Sequence, residues 1–152
     1  MNDEERLEDF LELVDELIDE NRDVPIIVEG RKDRRALKAL GFRGMIYTIN
    51  HGIPLFNFCE EISRRHERVI ILTDWDSRGG RTAKVLREAF AANGVKSRDD
   101  ARARLARICK KEVKDIESLP KFLEGLERRI EEGLRKSIED GRRRTRGPDI
   151  SR

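Results

Sequence analysis

Histidine and cysteine each occur twice, tyrosine and tryptophan once and proline four times in 152 residues, and each scarcity removes a class of protein. Cys59 and Cys109 stand far apart, match no metal-ligand spacing and come with no secretory signal. This argues against a disulfide framework and against a cysteine zinc site; two buried, reduced thiols in a cytoplasmic protein are expected. His51 and His66 have no partners at ligand spacing, so a histidine zinc site is not expected either. No apolar run approaches the ~18 residues of a membrane span, which points to a soluble protein without membrane contact.

What the chain has in abundance is charge. Asp, Glu, Lys and Arg make up 42% of it against 5% aromatics, yet the apolar residues recur periodically. The pattern is that of a globular domain with a heavily charged surface, of the kind heat-adapted proteins carry, and not of a disordered chain. The length suits one domain with one core. The net charge of +2 conceals a polarity: residues 1–20 hold ten acids against Arg6, a charge of −9, so the remaining residues carry +11. That excess favours a polyanionic partner. The acidic face of the first segment is either an ordinary solvated surface or a means of repelling nucleic acid and so orienting it.

Periodicity orders the elements. Asn2 with Glu5 resembles a capping box, and Leu7, Phe10, Leu11, Val14, Leu17 and Ile18 follow at helical spacing, predicting a helix over 2–21. Residues 24–28 read as a strand, 31–40 as a helix closed by Gly41, 45–49 as a second strand, 55–66 as a helix opened by Pro54, 69–73 as a third strand and 77–92 as a helix stopped by Asn93-Gly94. Strands alternating with helices give, by right-handed crossovers, a parallel sheet covered on both faces. Residues 95–97 are too short and polar to fix a fourth strand, so the sheet has three to four. Residues 101–111 follow as a helix within a helical extension over 99–140. Its last helix opens at Ser118-Leu119-Pro120, buries Phe122, Leu126, Ile130, Leu134 and Ile138, and is expected to end at Gly141. Residues 142–152, beginning with three arginines, read as a disordered basic tail able to touch phosphates.

The chemistry concentrates where residues 69–72, an aliphatic run, meet Asp74, Asp76 and then Gly79-Gly80. Four aliphatics ending in polar residues read as a buried parallel strand, so the aspartates sit at its carboxyl end, the edge where α/β sheets bind ligands. Two hard oxygen donors on extended backbone suit Mg²⁺, which takes one or two carboxylates and completes its shell with water and phosphate oxygens. Upstream, Ile26-Ile27-Val28-Glu29-Gly30 has the same form. Neighbouring strands lie ~4.8 Å apart, which lets Glu29 and Asp74 face a common ion. Crowded acids repel one another, so at least one should hold its proton unusually tightly. Arg31, Lys32, Arg78, Arg81 and Lys84 open the helices after the two acidic strand ends and are placed to grip a nucleic-acid backbone. Trp75, between the aspartates, either stacks on a base or packs as a lid over the sheet edge.

Residues 26–33, with Glu29, Gly30 and Asp33, together with Asp74-Trp75-Asp76-Ser77-Arg78-Gly79, resemble the two signatures of the Toprim domain. That domain is shared by type IA and type II topoisomerases, bacterial-type primases, overcoming-lysogenization-type nucleases and the ribonuclease that matures 5S rRNA. The likeness spans residues 24–94 within a single Toprim domain over 1–141, and small single-domain archaeal Toprim proteins look closest in length and layout. It implies Glu29 as general acid or base, and Mg²⁺ (or Mn²⁺) held by Asp74 and Asp76 with Glu29. Asp33 also fits the signature, as the holder of a helix start or of a basic neighbour instead of metal. Lys114-Asp115-Ile116-Glu117 is similar to an acidic motif that follows the metal pair in primase-type members. The lone tyrosine, Tyr47, lies in a predicted strand, which argues against strand passage, and there is no room for a primase zinc module. The resemblance therefore implies a Mg²⁺-dependent nuclease or related phosphoryl-transfer enzyme acting on RNA or DNA. The alternatives are a non-catalytic nucleic-acid-binding module of a larger assembly and a nucleotide or phosphate sensor.

Overall fold

The short runs Ile26-Ile27-Val28 and Val69-Ile70-Ile71 are apolar at every position, which only a strand buried on both faces can satisfy, and they form the centre of the sheet. A computed structural model of the chain describes residues 1–146. The elements run α1 (Asp3–Asn21), β1 (Ile26–Val28), α2 (Arg31–Ala39), β2 (Ile46–Thr48), α3 (Leu55–Ser63), β3 (Arg68–Ile71), α4 (Ser77–Ala92), β4 (Lys96–Arg98), α5 (Asp100–Cys109) and α6 (Leu119–Arg146). The strands lie in the order β2-β1-β3-β4 and every pairing is parallel, with Ile26 opposite Ile46 on one side and Ile70 on the other.

Side chains alternate across a strand, and this splits the interior in two. Ile26, Val28, Ile70 and Leu72 face α1, α2, α5 and α6, while Ile27, Val69 and Ile71 face α3 and α4. Both thiols are fully buried, and burial pushes Cys59 up to about 11 and Cys109 up to about 12. The N-terminal helix is anchored by Arg6, a buried cation whose Nε donates to the Ile108 carbonyl at 2.7 Å and whose Nη2 lies 2.9 Å from Glu112.

The fourth strand, left open by the sequence, exists as an edge. Val95 fills the core, and Arg98 escapes burial by reaching Glu16, Glu20 and Asp100. The helix ending expected at Gly141 does not occur. A glycine stops a helix when it adopts the left-handed conformation; Gly41 (φ 107°) and Gly94 (φ 74°) do so, whereas Gly141 does not. α6 runs on to Arg146, with the Thr145 hydroxyl donating back to the Gly141 carbonyl at 2.9 Å. The basic tail is thus helical over 142–146, and the rest of that expectation lies outside the described residues. Among the described residues no helix is long and apolar enough to cross a membrane.

The chain leaves β1 for β2 on one side, then returns across it to β3 on the other. The carboxyl ends of β1 and β3 therefore flank the point where the winding reverses, the place where open α/β sheets leave a crevice for ligands.

Candidate functional site

Glu29 follows β1 and Asp74 follows β3, so both side chains emerge at this crevice, half-buried. The Asp74 backbone N–H donates to Glu29 Oε2 at 3.1 Å, and the Ile116 N–H donates to Asp74 Oδ1 at 3.1 Å. Asp76, exposed, caps α4 by accepting the Gly79 N–H on Oδ1 at 2.7 Å, which leaves its second oxygen free of that bond. Asp33, only 9% exposed, accepts the Gly30 N–H at 3.0 Å and so holds the start of α2, the first of the two roles open to it from the sequence.

The turn carrying the aspartates is fixed from both sides. Thr73, fully buried, donates its hydroxyl to the Gly79 carbonyl at 2.8 Å. A Cβ on Gly79 would stand 1.8 Å from the Asp74 carbonyl oxygen, so the helix can approach the strand this closely only with glycine there. From α5, Arg102 donates Nη2 to the Asp74 carbonyl at 2.9 Å and Nε to it at 3.2 Å. Trp75 packs against the core, its backbone N–H on the Lys114 carbonyl and its indole N–H on the Val113 carbonyl, both at 3.0 Å. Packing, not an exposed stacking surface, is thus its role, and it clamps the loop before α6 against the site.

A cavity of about 560 Å³ opens over these groups. Its walls include five acids (Glu29, Asp33, Asp74, Asp76 and Glu117) and three cations at the rim (Arg31, Lys32 and Arg78). A second cavity of about 280 Å³ shares Glu29, His51 and Arg78 with it, extending the opening along the ends of β1 and β2. Burial, then the charges of Asp33 and Glu29, pushes Asp74 up to about 7 against the stabilising Ile116 N–H. Burial likewise raises Asp33, helped by the charges of Glu29, Glu117 and Asp115. Within the cavity the one ion pair among the described residues is Lys32 with Glu117, at 4.0 Å and exposed on both sides.

Among the described residues no three His, Cys, Asp or Glu side chains converge into a ready-made metal cage. The residues present fit Mg²⁺ in its usual protein mode: Glu29 and Asp74 are adjacent hard donors, Asp76 has an oxygen to spare, and the cavity leaves space for water and phosphate oxygens. Burial first, and then the charges of Asp33 and Glu29, disfavour an ionised Asp74, and a divalent cation would offset those charges.

Of the cations singled out by sequence, Arg31, Lys32 and Arg78 line the cavity; Arg81 and Lys84 lie farther along α4, exposed and outside it. Several participants had no usable signal. Glu117 and the Ile116 N–H arrive from a segment far along the chain, marked only by its faint likeness to a primase motif, and Arg102 acts through carbonyls, which no spacing rule reports. His51, without a ligand partner in sequence, lines both cavities. A third cavity, of about 400 Å³, is bordered by Arg31, Arg34, Arg35 and Lys38, one face of α2 leading away from the acids. Their i, i+3, i+4, i+7 spacing places the four cations on one face of the helix.

A parallel α/β sheet with acids at its switch point defines a class that the comparisons identify: residues 24–108 match the Toprim domain, and the chain belongs to the Toprim family, whose members process nucleic acid and bind divalent metal. Within it, the relatives are archaeal UPF0292 proteins. One from Methanosarcina barkeri is 43% identical over 122 residues, 80% of this chain and 85% of that protein. Another, from Methanocaldococcus jannaschii, is 36% identical over 120 residues, covering 78% and 93%. A putative protein from Aquifex aeolicus shares the fold with a TM-score of 0.61, at 24% identity over 70% of this chain and 94% of that one. The expected likeness to small archaeal Toprim proteins is met.

Proposed function

We propose that this chain is a Mg²⁺-dependent phosphoryl-transfer protein acting on RNA or DNA, most simply a nuclease or processing enzyme of the Toprim type. The observation that carries the reading is the meeting of Glu29, Asp74 and Asp76 in one cavity at the sheet switch point, rimmed by cations that no acid of that trio neutralises by an ion pair. Asp74 and Asp76, with Glu29, are the residues to hold Mg²⁺ (or Mn²⁺), which when bound offsets charge on the transferring phosphoryl group. Glu29 is the group to move a proton: Oε2 is tied to the Asp74 N–H, and the carboxylate borders the cavity. Arg31, Lys32 and Arg78 at the rim, with Arg81 and Lys84 beyond it, bind backbone phosphates, and the α2 face of Arg34, Arg35 and Lys38 continues that track.

One observation favours a second reading, a non-catalytic nucleic-acid-binding module in a larger assembly. The Glu29 carboxylate already has a structural task, the bond that joins the ends of β1 and β3. Cleavage of a labelled RNA and DNA panel with Mg²⁺ or Mn²⁺ separates the two. The enzyme reading requires cleavage that Glu29→Gln abolishes while salt-sensitive binding survives. No cleavage of any substrate, with binding unchanged by Glu29→Gln, supports the module.

A further inference from the structure

Helix α6 is longer than the body it packs on. Its 28 residues span about 42 Å at 1.5 Å per residue. Only the first turns are seated: Phe122 and Leu126 are buried, with the Phe122 ring 5.6 Å from that of Phe10 on α1. From Glu131 to Thr145 every residue is exposed, including Leu134 (61%) and Ile138 (49%). Gly133 and Gly141 lie within this stretch, and a Cβ at either would meet nothing within 4 Å. Each glycine costs about 1 kcal/mol of helix propensity. An isolated helix of this length is marginal in water even without them. The projecting half thus has neither tertiary packing nor intrinsic propensity to hold it.

Its sequence carries a pattern that a partner would use. At about 100° per residue, Leu123, Ile130, Leu134 and Ile138 fall in one arc of about 80°, with Gly141 in line. Along one flank of that arc stand Glu124 and Glu131, followed by Arg135 and Arg142. Acids occupy the first half of the flank and bases the second. Such a flank is complementary to its own reverse. A second copy laid antiparallel, with the two-fold axis passing beside Leu134, sets Glu131 against the partner's Arg135 and Glu124 against the partner's Arg142. The same operation puts Ile130 near the partner's Ile138. The ion pairs that α6 makes within the described residues use Arg129, with Asp3 and Glu112, and none of these four flank residues.

We propose that the exposed half of α6 is a homodimerisation element, pairing antiparallel with the same half of a second copy of this chain. The area two such half-helices bury is small, so the dimer is weak and concentration-dependent. The inference is independent of the proposed phosphoryl-transfer activity.

Sedimentation equilibrium from micromolar to several hundred micromolar protein should show the apparent mass rising toward twice that of the monomer. Glu131→Arg and Arg135→Glu, both on fully exposed positions, should each hold the chain monomeric, and an equimolar mixture of the two should dimerise again, because each then meets its opposite. Oxidative cross-linking fixes the direction. Leu134→Cys should link to itself, whereas Ile130→Cys should not, linking instead to Ile138→Cys in a mixture; Cys59 and Cys109, both fully buried, give no background. A wild-type chain monomeric throughout would overturn the proposal and leave this face to a different occupant. So would a mixture of the charge variants that fails to recover the dimer, or self-linking of Ile130→Cys.

Discussion

Asp74→Asn should stabilise the metal-free protein. The carboxyl of Asp74 is pushed up to about 7 from an ordinary value of 3.8, by burial first and then by the charges of Asp33 and Glu29. A group with a raised folded-state pKa contributes its full share of stability below the unfolded value and loses it as pH rises through the folded value. Ionising Asp74 in the fold is therefore unfavourable from about pH 4 upward, with the penalty levelling off above about pH 7. At 1.36 kcal/mol per unit the whole shift would be worth about 4 kcal/mol; Asp74 borders an open cavity, and solvent screening reduces this to about 2 kcal/mol. Asparagine keeps the bond from the Ile116 N–H on its carbonyl oxygen and gains an amide that can donate to Glu29. Thermal unfolding in EDTA at pH 8 should place the variant about 4–8 °C above the parent. The advantage should shrink toward zero as pH falls below about 4, where the parent carboxyl becomes neutral in both states, and should narrow on adding Mg²⁺, which the proposed site predicts the parent to bind better. Asp76→Asn, on an exposed cap that asparagine serves equally well, is the control and should shift little. A variant less stable than the parent at pH 8 in EDTA, or an advantage independent of pH, would refute the reasoning.

Three further outcomes follow from the same geometry. Gly79→Ala drives a Cβ to 1.8 Å from the Asp74 carbonyl oxygen, so the turn must open; we expect a loss of at least about 3 kcal/mol in denaturant unfolding, and weaker Mg²⁺ uptake by calorimetry in whatever fraction still folds. Arg102→Ala strips donors from the Thr73 and Asp74 carbonyls and should lower stability by about 1–3 kcal/mol, with Arg102→Lys recovering part of it because only one point donor replaces the fork. Replacing Arg34, Arg35 and Lys38 together by alanine should flatten the dependence of log affinity on log salt by about 0.7 per cation for single strands and about 0.9 for duplex DNA. An unchanged slope in filter-binding titrations would place the nucleic acid elsewhere.

The sheet was legible because its central strands obey a simple constraint. Residues 26–28 and 69–71 must be apolar on both faces, and they are buried at every position. The fourth strand was ambiguous because an edge strand escapes that constraint: Lys96 and Arg98 keep their charges in water or in ion pairs, so β4 reads as a loop until its partner β3 is known. The overrun of α6 has the opposite cause. Glycine reports a helix end only through the dihedral angle it adopts, and Gly141 shares its residue type, but not its conformation, with Gly41 and Gly94.

At the site, residue types were legible and their backbone partners were not. Two apolar strands each ending in an acid, joined by one βα unit, are enough to bring Glu29 beside Asp74, because parallel neighbours in register deliver their carboxyl ends to one edge. What the spacing leaves out is how each carboxylate is oriented. Asp74 is aimed by the Ile116 N–H, Asp76 by the Gly79 N–H, and Asp33 by the Gly30 N–H. Main-chain donors are the same for every residue type, so they leave no trace in a motif. They also divide the labour among otherwise equivalent acids. A carboxylate with one oxygen held by the main chain has the other directed, and the burial that lets a backbone N–H reach Asp74 is what raises its affinity for a proton. Asp76, by contrast, stands exposed on its cap. The pair that reads as symmetrical Asp-x-Asp in sequence is therefore unequal in the fold, and of the two Asp74 is the one whose charge most needs a counter-ion.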